Sequence, residues 1–300
     1  MTGISQQLVW SSAERTLGEK LIHVEFVGLE SNHLYRLVTT EARSYSLRIP
    51  RLEPDRLTPF WQYLQDTFGL RYGTQLSNVG PLLRAIDDDG ILQTPRPVAT
   101  TTVGAKSAYI FTWVDGTSWE SGEFPNTRQV HERLGRYLAH LHQRRYQTFG
   151  TFSEHRLDPT EFVVRTNASL QNTIARFWTH RPDLGEWFDR HAKTMNPDVF
   201  SGHLSPIMPD FGANQFVYRD GALAGVVDLD SYVIGPRELE LAGVELCLTR
   251  PQDFRRGYEA ILSLPRFETF RSYCRFWILV CEAAGDPDLE KFLTSNTYFD

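Results

Sequence analysis

The chain has 300 residues, of which 41% are hydrophobic, and a formal net charge of −6 at pH 7. This length and apolar content allow a large core divided between two lobes, whereas the acidic balance argues against nucleic acid as a main partner. The sequence contains neither a run of about eighteen apolar residues nor a basic stretch followed by an apolar run at its start, so it predicts a cytoplasmic protein with no membrane span.

The first fifty residues predict three strands. An apolar-alternating segment over residues 23–27 is followed by Gly28, Ser31 and Asn32, which predict a turn before the second strand. In the third strand, residues 44–50, Arg48 shares one face with Ser46. Small residues in such a turn allow backbone N–H groups to approach phosphates, and Arg48 is the cation that this strand offers to them.

A buried-looking strand and an amphipathic helix follow in the middle of the chain. The strand contains Phe111 and Trp113 and breaks at Asp115-Gly116. The helix, residues 134–142, carries leucines at helical spacing and ends in a Leu-His pair.

The segment from Asp210 to Asp228 predicts a β-hairpin with an acid at each end. Two short β-prone runs, 216–218 and 223–227, flank an Asp-Gly turn signal at residues 220–221. The hairpin returns the chain on itself, so that Asp210, the amide pair Asn214 and Gln215, and Asp228 converge. Carboxylate and amide oxygens are suitable ligands for magnesium bound to a phosphate ester.

The order of these segments along the chain resembles that in the aminoglycoside phosphotransferase and choline kinase family. The catalytic motif of that family reads His-Gly-Asp-x-x-x-x-Asn, then a hairpin, then Ile-Asp. Asp210 and Asp228 match the two acids of that motif without a gap. The resemblance implies an α+β, protein-kinase-like bilobal fold, with a small β-rich N-lobe over residues 1–113 and a larger, mainly helical C-lobe over residues 114–300. It also implies an ATP- or GTP-dependent phosphotransferase acting on a hydroxyl of a small molecule.

The resemblance implies a role for each site residue. Asp210 is the catalytic aspartate, which accepts or orients the hydrogen bond of the acceptor hydroxyl, and Asp228 holds Mg²⁺ together with Gln215 or Asn214. The nucleotide-binding residues it implies are Gly28, Ser31, Asn32, Arg48, Phe111 and Trp113. Glu240 is expected to brace the catalytic loop. Acids that project into the cleft, for which we name Asp230, Glu120 and Glu282, favour a cationic acceptor such as an aminoglycoside or an amino alcohol.

Two other alignments of the catalytic segment are possible. Ser201-Gly202-His203 fits the His-Gly-Asp run, but this alignment places His203 where the reaction needs a carboxylate and requires an insertion before the hairpin. Asp210-Phe211-Gly212 matches the protein-kinase metal triplet, but no His-x-Asp run lies at a suitable distance upstream. We prefer Asp210 as the catalytic acid.

The remaining sequence after residue 115 predicts mainly helices, with segments at 167–179, 238–248 and 267–284. The last of these carries an aromatic stripe, which we assign to the core, with a wall of the acceptor pocket as the alternative. The cysteines at 247, 274 and 281 are odd in number and lack metal-ligand spacing, so they are expected to be reduced thiols.

A catalytically degenerate, kinase-like binding or regulatory protein is the alternative to an enzyme. Met208 stands where the family has His, Gln215 where it has Asn, and no clear glutamate pairs with Arg48. Between that arginine and residue 95 the carboxylates are Glu53, Asp55, Asp66 and Asp87–Asp89, and Gln75 and Asn78 are neutral substitutes. Because both catalytic-motif aspartates are present, we favour the phosphotransferase.

Overall fold

The computed structural model describes residues 4–29, 31–53, 55–86, 90–119, 121–153, 157–200, 202–268, 270–281 and 286–299. The chain forms two compact units, one made of residues 1–57 and 93–115 and the other of residues 58–92 and 116–300. From the sequence we assign residues 1–113 to the first lobe and 114–300 to the second. In the structure, residues 58–92 belong to the second unit and residues 114–115 to the first.

The first unit is an antiparallel sheet with one helix. Its elements are α1 (Gln6–Leu17), β1 (Leu21–Leu29), β2 (Asn32–Thr39), β3 (Ser44–Pro50), β4 (Pro97–Val103) and β5 (Lys106–Thr112). Within the described residues the strand order is β1-β2-β3-β5-β4.

Strand alternation gives this sheet an apolar face packed on α1 and an opposite face of mixed polarity. Tyr45, Leu47 and Ile49 of β3 are buried in a core with Val9 and Ala13 of α1. The side chains between them point to the opposite face, because successive residues of a strand alternate between faces. The face that carries Arg48 is therefore the one that α1 leaves uncovered, as the alternation predicted.

The turn between β1 and β2 lies later in the chain than the sequence indicated. β1 continues through Gly28 to Leu29, and β2 begins at Asn32. Gly28 pairs with Leu34 next to a register shift, and a Cβ at Gly28 would have no neighbour within 4 Å. Gly28 is therefore a strand residue, and the turn residue that the structure describes is Ser31.

The second unit is mainly helical and contains two small antiparallel sheets. Its helices are α2 (Pro59–Tyr63), α3 (Val79–Ile86), α4 (Arg128–His142), α5 (Glu161–Phe177), α6 (Pro182–Arg190), α7 (Arg237–Cys247), α8 (Pro251–Glu259), α9 (Arg271–Cys281) and α10 (Leu289–Thr294). Its strands are β6 (Thr117–Ser118), β7 (Leu204–Ile207), β8 (Phe216–Arg219), β9 (Ala222–Val226) and β10 (Val233–Pro236). In the described part, the strand orders are β10-β7 and β6-β8-β9.

Aromatic packing explains why residues 58–92 belong to the second unit. The rings of Tyr63 and Trp277 lie 4.6 Å apart between centroids, and the ring of Phe68 lies 5.8 Å from that of Phe162. All four side chains are almost completely buried. These contacts join residues more than ninety positions apart, so local sequence patterns could not indicate them.

The β8–β9 hairpin forms as the sequence predicted. Arg219 pairs with Ala222, which leaves Asp220 and Gly221 as a two-residue loop. Both loop residues have positive φ, 53° and 76°. Positive φ at both positions is typical of the mirror-image turn whose twist matches that of the flanking strands.

The predicted helices at 167–179, 238–248 and 267–284 correspond to α5, α7 and α9. Of the predicted aromatic stripe, Tyr273, Phe276 and Trp277 lie in α9 and are at most 3% exposed, so they are core. The fourth member, Phe270, precedes the helix and is half-buried. The three cysteines are free thiols, as expected, with Cys274 and Cys281 buried. Across the described ranges, no helix has the length and hydropathy needed to cross a membrane.

Candidate active site

The Asp210 carboxylate is held by a residue five positions further along the chain. Gln215 Nε2 donates a hydrogen bond to Asp210 Oδ2 over 3.0 Å. The segment Ala213–Gln215 forms a single 3₁₀ turn directly before β8, and Gln215 is only 4% exposed. The turn therefore directs the side-chain amide of Gln215 back toward Asp210. The nitrogen of this amide donates to the carboxylate, and its oxygen is a hard donor atom of the kind that Mg²⁺ binds.

Asn214 lies on the outside of the same turn. Its side chain is exposed, and a Cβ at Gly212 would meet Asn214 Oδ1 at 2.5 Å. Asn214 therefore folds back over Gly212, whereas Gln215 contacts the acid. The structure brings together Asp210 and Gln215 and gives Asn214 a different environment.

Asp228 reaches the same region because of the hairpin register. Phe216 pairs with Val226, and the next residue, Val227, donates its N–H to the Gln215 carbonyl oxygen over 2.9 Å. Asp228 then follows directly, half-buried, beside the turn that carries the two amides. The hairpin register thus brings the backbone just before Asp228 to Gln215, and the joint site of Asp210, Gln215 and Asp228 stays a prediction.

An aromatic cluster anchors the residue after Asp210. The Phe211 ring lies 5.8 Å from that of Phe124 and 5.8 Å from that of Phe216. Phe124 and Phe216 are at most 1% exposed. This packing fixes the backbone on the carboxyl-terminal side of Asp210.

A buried polar network fixes the backbone on the amino-terminal side. Met208 donates its N–H to Glu240 Oε1 over 2.8 Å, and His142 Nε2 donates to Glu240 Oε2 over 2.7 Å. His142 Nδ1 and the Tyr258 hydroxyl are 2.9 Å apart. Glu240, predicted to brace the catalytic loop, does so through the Met208 amide. The pattern of the sequence did not indicate Tyr258, which lies on another helix.

Two glycines make this network possible. A Cβ at Gly135 would overlap the carbonyl oxygen of Phe254, and a Cβ at Gly257 would overlap that of Glu132. Because these two residues have no Cβ, α4 and α8 pack closely enough for His142 to reach Tyr258.

His203, the residue of the competing alignment, contributes to the backbone support. Its Nε2 donates to the His142 carbonyl oxygen over 2.6 Å. Burial, together with the positive charge of Arg237 and opposed by this hydrogen bond, lowers the pKa of His203 to about 4. In its neutral form, His203 donates to the carbonyl oxygen at the end of α4, which is a structural contact. His203 lies immediately before β7 in the chain.

Of the three acids predicted to select the acceptor, the structure describes one. Asp230 is buried, with 2% of its surface exposed. Glu120 and Glu282 lie outside the described residues. The assignment of these three acids to the acceptor stays a prediction.

The first unit places its predicted nucleotide residues around one face of the sheet. Cross-strand pairs align Arg48 with Leu34 and Tyr109, and Ser46 with Phe111. Trp113 follows two residues after Phe111, and its N–H bonds the Ser44 carbonyl oxygen over 3.1 Å. Ser31 and Asn32 lie at the β1–β2 turn.

Three of the residues considered as partners for Arg48 have contacts elsewhere. Glu53 pairs with Lys106 at 3.2 Å. Asn78 donates to the Tyr232 carbonyl oxygen over 3.1 Å and accepts from the Phe152 N–H over 3.0 Å, so both ends of its amide are used. Asp66 accepts from Gln62, and Asp87–Asp89 lie outside the described residues.

The donor chemistry of the second unit fits magnesium. Within the ranges that the structure describes, no three His, Cys, Asp or Glu side chains lie together as a metal centre. The predicted ligands are instead carboxylate and amide oxygens on one hairpin, the hard oxygen donors that Mg²⁺ accepts while retaining water and phosphate ligands.

The fold is that of the kinase-like phosphotransferases. The family model described as "Phosphotransferase enzyme family" matches residues 23–268. The chain belongs to this family. A comparison with curated proteins gave no match.

Solved structures similar to this chain include antibiotic phosphotransferases and chains described as "putative fructosamine-3-kinase". The macrolide 2'-phosphotransferase MphH from Brachybacterium faecium is 13% identical with a TM-score of 0.60, covering 93% of this chain and 99% of that one. The ADP-bound aminoglycoside phosphotransferase APH(2'')-Ib is 11% identical with a TM-score of 0.60 and 97% coverage of both chains. The spectinomycin phosphotransferase APH(9)-Ia, with ADP and spectinomycin, is 14% identical with a TM-score of 0.60, covering 99% and 90%. At these identities the likeness shows the fold.

Proposed function

We propose that this protein transfers the γ-phosphoryl group of ATP or GTP to a hydroxyl group of a small molecule. The observation that carries the proposal is the hydrogen bond between Gln215 and Asp210, next to the turn that leads to Asp228. Family membership and the two similar structures that contain ADP support a nucleotide as phosphoryl donor.

Asp210 is the group that orients the acceptor and takes its proton. The acceptor oxygen forms a bond to the γ-phosphorus while the bond from that phosphorus to the β–γ bridging oxygen breaks, releasing the nucleoside diphosphate. The hydroxyl proton passes to the Asp210 carboxylate. Gln215 and the aromatic packing of Phe211 hold that carboxylate in place, so the protein contributes mainly position and charge.

Asp228 would hold magnesium together with Gln215 or Asn214. When bound, Mg²⁺ supplies positive charge to the β- and γ-phosphate oxygens. In the first unit, Arg48 offsets phosphate charge in our proposal, with Gly28, Ser31 and Asn32 near the phosphates and Phe111 and Trp113 near the base.

For the acceptor we propose a cationic small molecule such as an aminoglycoside or an amino alcohol. The acids Asp230, Glu120 and Glu282 are the residues proposed to select it. One similar structure was solved with spectinomycin, which supports testing amino-containing polyols first.

The experiment is a screen for acceptor-dependent release of nucleoside diphosphate. Amino sugars, amino alcohols, nucleosides and neutral sugars are each incubated with Mg²⁺ and with ATP or GTP, and phosphorylated product is identified by mass. Asp228→Asn serves as the negative control, because it removes a proposed metal ligand while preserving shape. Release that needs no acceptor, or that persists unchanged in Asp228→Asn, would contradict the proposal.

A further inference from the structure

The sheet face of the first unit that lies opposite α1 carries a second arginine, Arg36 on β2. Arg36 pairs with Ser46 of β3, and Ser46 pairs with Phe111 of β5. Paired residues of antiparallel strands share a face. Arg36 therefore lies on the same face as Arg48 and Phe111, two of the residues proposed to bind the nucleotide.

The Arg36 guanidinium lies over the ring of Trp113. Its Cζ is 4.9 Å from the ring centroid, a distance typical of a cation–π contact. The contact fixes a planar donor group against the residue that we place beside the base. Aromatic rings stack with any base, so Trp113 alone does not select one.

One N–H of Arg36 is buried without an acceptor. In the part of the chain that the structure describes, Arg36 Nε has no hydrogen-bond partner. A guanidinium can only donate, and a buried donor with no acceptor costs free energy that a ligand oxygen or nitrogen would recover.

The edges of the purine bases differ in what they offer to such a donor. Guanine presents two adjacent acceptors, O6 and N7, which match an arginine fork bidentately. Adenine presents N7 next to the N6 amino donor, so one arginine N–H would face another donor. The chemistry of Arg36 therefore fits guanine better than adenine.

We propose that Arg36, held by Trp113, reads the O6 and N7 edge of the base and makes this protein prefer guanine nucleotides. The inference rests on the proposed function, which left ATP and GTP open. The alternative is a purely structural cation–π pair, in which case Arg36 has no effect on base preference.

The test is calorimetric binding of GDP, ADP and inosine diphosphate with Mg²⁺ to the full chain and to Arg36 variants. The wild type is expected to bind GDP at least about tenfold more tightly than ADP, within the range for one bidentate base contact. Inosine has the O6 and N7 acceptors but lacks the guanine 2-amino group, so its diphosphate is expected to bind within about threefold of GDP.

Two substitutions isolate the Arg36 fork. Arg36→Ala is expected to bring GDP and ADP affinities within about threefold of each other. Arg36→Lys retains the charge and loses the planar fork, so it should also lose the preference, and it provides the test if Arg36→Ala does not fold. Arg48→Ala is the matched control on the same sheet face, expected to weaken both nucleotides with an unchanged ratio.

The outcomes separate this inference from the proposed function. Equal binding of GDP and ADP by the wild type, an unchanged ratio in both Arg36 variants, or inosine diphosphate binding like ADP would each overturn the role of Arg36 while leaving phosphoryl transfer intact. Failure of the wild type to bind any of the three diphosphates would overturn the proposed nucleotide site itself.

Discussion

The side-chain amide of Gln215 donates to the carboxylate of Asp210 over 3.0 Å, and the backbone carbonyl oxygen of the same glutamine accepts from Val227 next to Asp228. Gln215 thus bonds both to Asp210 and to the backbone of the residue that precedes Asp228. Gln215 occupies the place where the family motif has asparagine. Its extra methylene still allows the amide to reach Asp210 because the 3₁₀ turn at 213–215 directs it inward.

Asp210 is expected to act on the acceptor and not on the nucleotide. Asp210→Ala should therefore retain nucleotide affinity within about tenfold, equivalent to about 1.4 kcal/mol, while phosphoryl transfer falls by several powers of ten. Binding is measured by calorimetry and transfer by product mass. Retention of transfer in this variant would remove Asp210 from the reaction.

Gln215 and Asn214 are expected to differ sharply in their effects. Gln215→Ala removes the donor to Asp210 and a proposed metal ligand, so turnover should fall at least about a hundredfold and the Mg²⁺ concentration for half-maximal activity should rise. Asn214→Ala is the matched control, since its side chain is exposed one residue away, and it should change turnover by less than about tenfold. The reverse ranking would identify Asn214 as the metal ligand.

Glu240 is expected to be essential for both stability and turnover. Glu240→Ala leaves the Met208 N–H and the buried His142 Nε2 without their acceptor, and such losses typically cost about 3–5 kcal/mol. Urea unfolding measures this change. Glu259→Ala, which removes an exposed pair with Arg255, should cost at most about 1 kcal/mol. Equal costs in the two variants would contradict the bracing role.

Because Glu238 is buried, we predict that the protein loses stability as the pH rises from about 4.5 to about 7. Burial raises the pKa of Glu238 from 4.5 to about 7, and its Oε2 has no hydrogen-bond partner among the described residues. Because the folded pKa is the higher one, the stabilising contribution is complete below about 4.5 and is lost as pH rises through about 7.

Glu238→Gln mimics the protonated acid and should stabilise the protein near pH 8 by up to about 3 kcal/mol, with a smaller gain near pH 5. Urea unfolding at the two pH values measures the difference. The exposed Glu259→Gln is the control, expected to show no such pH dependence. A gain that is the same at both pH values would show that folding does not raise the pKa of the Glu238 carboxyl.

The sequence by itself determined the local features of the site. The Asp-Gly signal predicted a hairpin turn, and the structure has Asp220 and Gly221 with positive φ at that turn. The alternation in β3 correctly separated Arg48 from the buried Leu47 and Ile49. These features depend on residues within a few positions of one another, where turn geometry and the two-residue period of a strand leave few alternatives.

The tertiary structure decided which distant groups meet. His142 and Glu240 are 98 positions apart, and the grouping of residues 58–92 with the second unit depends on the packing of Tyr63 against Trp277. The tertiary structure also decided which amide contacts Asp210. The 3₁₀ turn at 213–215 directs the Gln215 amide toward this acid and the Asn214 amide away from it. Long-range packing and a single turn's dihedral angles are properties of the folded chain, so no local pattern in the sequence specifies them.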